Sequence, residues 1–92
     1  MVLKGNATGS VIGIPVNIPS KLVSYTLTNE TGGAITATVS IILFDTNTKV
    51  AIETVSIAAN STHSSGIPVK IPSGYTIYLA VSGSIDYWFN ID

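Results

Sequence analysis

The 92-residue chain has no cysteine and no arginine, and it contains one histidine, one tryptophan and one methionine. Without cysteine there is neither a disulfide nor a thiolate metal site, so the fold rests on packing alone. Charge is scarce as well: 10% of the residues are charged, against about 25% in an ordinary soluble domain. The only strong cations, Lys4, Lys21, Lys49 and Lys70, are scattered along the chain, which argues against a nucleic-acid partner. No apolar run approaches the ~20 residues of a membrane span. The opening Met1-Val2-Leu3-Lys4-Gly5-Asn6 lacks the basic start and the apolar stretch of a signal peptide, so the expectation is a protein made soluble in a cytoplasm.

Apolar residues make up 46% of the chain. β-branched residues abound, which excludes disorder, and at this length the chain supports one hydrophobic core. Polarity comes from Thr, Ser and Asn. A neutral coat of that kind, with net charge −1, resists association poorly and suits a surface that packs on other proteins.

Helical periodicity is missing, and alternation of period two prevails wherever Gly, Pro or Asn does not interrupt it. Val23, Tyr25 and Leu27 share one face of a strand; Ile35, Ala37, Val39, Ile41 and Leu43 share one face of the next. Asn29-Glu30-Thr31-Gly32-Gly33 between them reads as a hairpin connection. Asp45 to Thr48 is a second turn, and Lys49 to Ile57 is a β-branched run of ambiguous facing that suits a bulge. Tyr75, Ile77, Leu79 and Val81 share a face, as do Ile85, Tyr87, Phe89 and Ile91, with Ser82-Gly83 as a two-residue hairpin between them. Pairing Val81 with Ser84 in that hairpin sets Ile77 opposite Trp88, which conflicts with one shared core face. Shorter strands near Val11–Ile14 and Ile67–Ile71 complete seven or eight. The expectation is one all-β domain over 1–92, an antiparallel β-sandwich of jelly-roll or immunoglobulin-like type, with 1–20 as an extended N-terminal edge segment. Its expected core is Val23, Tyr25, Leu27, Ile35, Val39, Ile41, Leu43, Ile77, Leu79, Phe89 and Ile91.

One repeat occurs: Ile14-Pro15-Val16-Asn17-Ile18-Pro19-Ser20 and Ile67-Pro68-Val69-Lys70-Ile71-Pro72-Ser73 agree at six of seven positions. Proline cannot donate to a ladder, so Pro15, Pro19, Pro68 and Pro72 mark edges or corners, either blocking aggregation or serving as docking edges.

Catalytic chemistry finds no support. His63 lies in Asn60-Ser61-Thr62-His63-Ser64-Ser65-Gly66, a loop composition, and no Gly-x-Ser-x-Gly elbow accompanies it. Glu30, Asp45, Glu53, Asp86 and Asp92 are spread out, with no Asp-x-Asp run to hold a cation, and no cofactor motif is present. Asn6, Asn29 and Asn60 head glycosylation sequons of the kind chance supplies in such a composition. Tyr78 and Trp88 fall opposite the core faces of the last strands and form a candidate interface. With Tyr87, and with Asp86, Asn90 and Asp92 nearby, they equally suit stacking on a sugar ring.

The order of features resembles a family of small bacteriophage virion proteins: the Thr-rich stretch from Val23 to Val39, the closure Ile57-Ala58-Ala59-Asn60-Ser61-Thr62, and the corner Ile71-Pro72-Ser73-Gly74-Tyr75-Thr76-Ile77. The likeness covers nearly the whole chain. It implies a non-enzymatic β-sandwich subunit of a capsid, neck or tail, made in the host cytoplasm and located in the virion, with other virion proteins as partners. A decoration or cement subunit forming a homo-oligomer, a trimer by preference, is the leading expectation; a carbohydrate-binding module is the alternative.

Overall fold

The computed structural model describes residues 2–13, 20–43, 48–66 and 68–92. The described residues form seven strands and no helix: β1 (Val2–Ile12), β2 (Ser20–Asn29), β3 (Ile35–Leu43), β4 (Thr48–Ile57), β5 (Ser61–Ser65), β6 (Val69–Ile71) and β7 (Tyr75–Ile91). Every pairing is antiparallel, in the order β4-β3-β7-β2-β5, with β1 also on β7 and β6 also on β2.

The 17-residue β7 organises the sandwich. At 3.3 Å per residue a straight strand of that length would span about 56 Å, yet the longest dimension of the molecule is 39 Å. The strand therefore bends, and the register with β1 locates the bend. Thr8 pairs with Ser84 and Ser10 with Ala80, so Val81, Ser82 and Gly83 face the single Gly9, whose φ of 99° few other residues adopt. Ser82 braces the corner by accepting a hydrogen bond from the Thr36 amide on its Oγ at 2.9 Å. Before the bend β7 lies between β1 and β3, with Leu79 between Val11 and Val39; after it β7 lies between β1 and β2, with Trp88 between Lys4 and Thr26. The sheet folds over itself at this corner into two facing layers.

The core fills the space between the layers. Ile35, Ala37, Val39, Ile41, Ile57, Ile77 and Leu79 come from the first layer; Leu22, Tyr25, Leu27, Ile71, Ile85, Phe89 and Ile91 come from the second. Leu22, Leu27, Ile71, Leu79, Ile85 and Phe89 are fully buried.

Several expectations are corrected here. Ser82-Gly83 is the bend of one continuous strand and no hairpin, so Ile77, Leu79, Ile85, Phe89 and Ile91 keep one parity and the register conflict disappears. Asn29 to Gly33 joins no hairpin either: β2 pairs with β5, β6 and β7, and the chain crosses there to the other layer. Val23 is exposed, because the register with β7 slips between Leu22 and Ser24 and sends Leu22 inward in its place. Leu43 is half-buried at the end of β3. The N-terminal strand is longer than Val11–Ile14, running as β1 along β7 from Tyr78 to Asn90. The bulge in β4 is present: Val39 pairs with Glu53 and Ser40 with Ala51, leaving Ile52 extra. Residues 14–19, 44–47 and 67, which include Pro15, Pro19, most of the first repeat copy and most of the second turn, lie outside the described residues.

Candidate functional site

Residues of even number on β7 face away from the core, and past the bend they combine with their neighbours into one outer sheet face. Row by row it carries Lys4, Trp88 and Thr26, then Asn6, Asp86 and Thr28. Trp88 is 43% exposed, an unusual state for the largest side chain of a small domain. Its ring is held from two sides: the Lys4 Nζ lies 5.0 Å from the ring centroid, and Nε1 donates to Asn90 Oδ1 at 3.1 Å. Asn90 in turn donates from Nδ2 to Ser24 Oγ at 2.9 Å.

A shallow groove of about 450 Å³ opens beside the ring, lined by Thr26, Thr28, Asp86, Tyr87, Trp88 and Asn90. None of its lining comes from β1, so Lys4 backs the indole while the groove lies toward β2. Asp86 accepts from Asn6 Nδ2 at 2.8 Å and has no lysine beside it in the register. The site therefore offers an aromatic face with hydroxyl, carboxamide and carboxylate groups in one plane, and chemically it can stack a ring and exchange hydrogen bonds with its hydroxyls.

Tyr78 does not join this patch. It sits before the bend, between Ser40 and Ile12, with the Lys49 Nζ 4.5 Å from its ring centroid. A hydrogen bond with Ser10, assisted by the Lys49 charge, holds its phenol below the ordinary tyrosine range. Nine residues of a bent strand separate Tyr78 from Trp88, so the two do not form one platform. The Tyr87 ring turns to the core side, 5.7 Å from the Phe89 ring. Pro68 and Pro72 are exposed and bracket the short edge strand β6.

His63 is the clearest correction. It lies within β5, opposite Leu27, and its Nε2 is 2.9 Å from Glu53 Oε1. The Tyr25 hydroxyl donates to the same carboxylate oxygen. Two donors keep the Glu53 carboxyl below the usual carboxylate range, the Tyr25 hydrogen bond contributing most and His63 next. Burial, followed by the bond to Glu53, pushes the Tyr25 phenol up to about 12. The alternation that buries Tyr25 was readable in the sequence; its cross-layer partner Glu53, 28 residues away on β4, and the meeting of that carboxylate with His63 on β5 were not. Among the described residues no group of three or more His, Asp or Glu side chains gathers to hold a metal.

Of the sequon asparagines, Asn29 is fully buried. Its Nδ2 donates to the carbonyls of Gly33 and Ile57 at 2.8 and 2.9 Å, which leaves it inaccessible to modification in the folded chain.

No protein-family model matches the chain, and no curated protein matches it. Among solved structures it is similar to the N-terminal part of endo-1,4-β-D-xylanase 10B of Clostridium thermocellum, CBM22-1 and GH10 modules complexed with xylohexaose. The identity is 18% and the TM-score 0.50, over 86% of this chain and 17% of that one. The chain thus spans under a fifth of that protein, and what the two share is the β-sandwich fold of its carbohydrate-binding module.

Proposed function

We propose that this domain is a non-catalytic binding module whose outer β1–β7–β2 face takes a neutral glycan, with Trp88 as the stacking residue. The observation that carries the reading is the 43% exposed Trp88, oriented through Asn90 and bordering a groove of threonines and one carboxylate. An indole left in water on a flat sheet costs solubility and gains nothing for the fold, whereas a sugar ring stacked on it buries apolar C–H surface while its hydroxyls meet Thr26, Thr28, Asp86 and Asn90. The xylohexaose complex of the structural neighbour supports testing a β-linked xylan chain first.

The resemblance to small virion proteins gives a second reading, supported by the 11-residue strand β1, which pairs only with β7 among the described strands and carries one charge, Lys4. In that reading the glycan site belongs to a virion accessory subunit that binds its neighbours through uncharged edges.

Isothermal titration with xylohexaose and a panel of neutral and anionic oligosaccharides tests the glycan reading. Binding that disappears in Trp88→Ala, with unfolding unchanged, is expected; Tyr78→Ala should bind as the parent does. Affinity that survives Trp88→Ala, or a protein that binds no member of the panel, overturns it. Solution mass across a range of concentrations tests the virion reading, which requires an oligomer.

A further inference from the structure

The open side of the sandwich holds a second cavity, distinct from the Trp88 groove. Tyr25 lines it from the inner face of β2, whereas the adjacent Thr26 belongs to the groove outside. The cavity measures about 370 Å³, lies between the edges of the two layers, and is walled by Ile41, Val50, Ile52 and Val69. Its polar groups are Tyr25, Glu53 and Ser65. This size is within the range that takes a small ligand.

Charge sets the class of ligand. Both described donors to Glu53, the Tyr25 hydroxyl and His63 Nε2, end on Oε1. With a side chain 34% exposed, Glu53 also keeps a route to the cavity mouth. None of the four lysines neutralises it: Lys4 lies on Trp88, Lys49 on Tyr78, and Lys21 and Lys70 pair with each other's positions on β2 and β6. A carboxylate at the rim of an apolar cavity, with no lysine beside it and with His63 and Tyr25 both on a single oxygen, is complementary to an ammonium group carried on an apolar body.

We propose that the cleft between β4 and β6 is a second ligand site, which binds a small primary amine with an apolar body, its ammonium paired with Glu53 and its body against Ile41, Val50, Ile52 and Val69. The bulge at Ile52 has a use in this arrangement. It turns Glu53 onto the inner face, opposite Val39, while Val50 keeps that same face opposite Ile41. Charge and apolar wall thus come from one edge strand. The site does not depend on the glycan reading.

Methyl and amide NMR titrations of the whole chain with benzylamine, benzyl alcohol and benzoate test it. Benzylamine should shift Ile41, Val50, Ile52 and Val69, with benzyl alcohol binding at least about tenfold more weakly, the equivalent of one lost charge-assisted contact. Glu53→Gln should erase the preference for the amine and leave the alcohol unaffected. The Gln carbonyl still accepts from Tyr25 and His63, and the amide spectrum checks that the fold is retained. Val50→Lys, at a position 51% exposed, places an ammonium at the rim and should abolish amine binding without touching Glu53. Equal affinity for amine and alcohol, shifts confined to the Trp88 face, or no shifts up to about 10 mM each overturn the proposal.

Discussion

Tyr25 on β2 donates its hydroxyl to Glu53 on β4, so a hydrogen bond joins the two layers of the sandwich at the side that none of the described strands closes. His63 on β5 reaches the same carboxylate oxygen. The contact is strongest with Glu53 ionised, and both partners lower its pKa. A carboxyl whose folded pKa is depressed contributes stability that is complete above its unfolded value, about 4.3, and is lost as the pH falls through the folded value. The thermal midpoint should therefore decline below about pH 4.3, and Glu53→Gln should remove much of that decline. Melting curves from pH 2 to 7 by circular dichroism measure it; an identical acid profile in the variant would contradict the assignment.

At the alkaline end Tyr25 acts with the opposite sign. Its phenol, pushed up to about 12 by burial and by Glu53, stays protonated in the fold where an unfolded chain would already have ionised. Its contribution is complete below about pH 10 and drains away as the pH approaches the folded value. Tyr25→Phe should lose the hydrogen bond at pH 7 and show a flatter decline between pH 10 and 12. Urea midpoints over that interval, with tyrosinate absorbance at 295 nm as an independent reading of the ionisation, decide it.

Alternation made the strands and most of the core legible, because Tyr25, Leu27, Val39, Leu79 and Phe89 are placed by parity alone. Parity fails at bulges, where no residue type announces the slip. Val23 and Leu22 are equally apolar, and only pairing with β7 selects Leu22 for the interior. Partners across layers were hidden for the same reason: Glu53 meets Tyr25 and His63 because the sheet folds at Gly9, and short-range pattern carries no trace of that fold. The exposed tryptophan was legible as an interface residue. Its separation from Tyr78 was not, since a hairpin would have brought the two strand halves together and a bend keeps them apart.

Asn29 is the polar centre of the crossing between layers. Besides the carbonyls of Gly33 and Ile57, it serves Ala58 O at 3.2 Å and accepts on Oδ1 from the Thr31 amide and hydroxyl at 2.9 and 2.6 Å. Removing the amide leaves the buried Ile57 carbonyl without this donor, a loss of about 1–3 kcal/mol, and takes the part-buried bonds to Gly33, Ala58 and Thr31 with it. Asn29→Ala should destabilise by roughly 3 kcal/mol. Asn29→Asp, which places oxygen against oxygen, should cost more than Asn29→Ala. Denaturant titration of the two variants tests both the size and the order.

Gly83 distinguishes the bend from the hairpin that the sequence suggested. A hairpin of that type would require the left-handed region at this glycine, yet the described glycines with positive φ are Gly9 and Gly74. The restriction is space: a Cβ on Gly83 would stand 2.9 Å from Ile35 Cδ1 and 3.2 Å from Cγ1. Gly83→Ala should then destabilise by overpacking, about 1–3 kcal/mol, and Ile35→Val alone by about 0.5–1.5 kcal/mol. Because Ile35→Val deletes the methyl nearest the clash, the double variant should be more stable than the sum of the two by about 1 kcal/mol, a coupling that residues in contact commonly reach. Strain from a left-handed backbone would not respond to Ile35 at all. A double-mutant cycle in urea therefore separates the two structures, and strictly additive effects would refute the continuous strand.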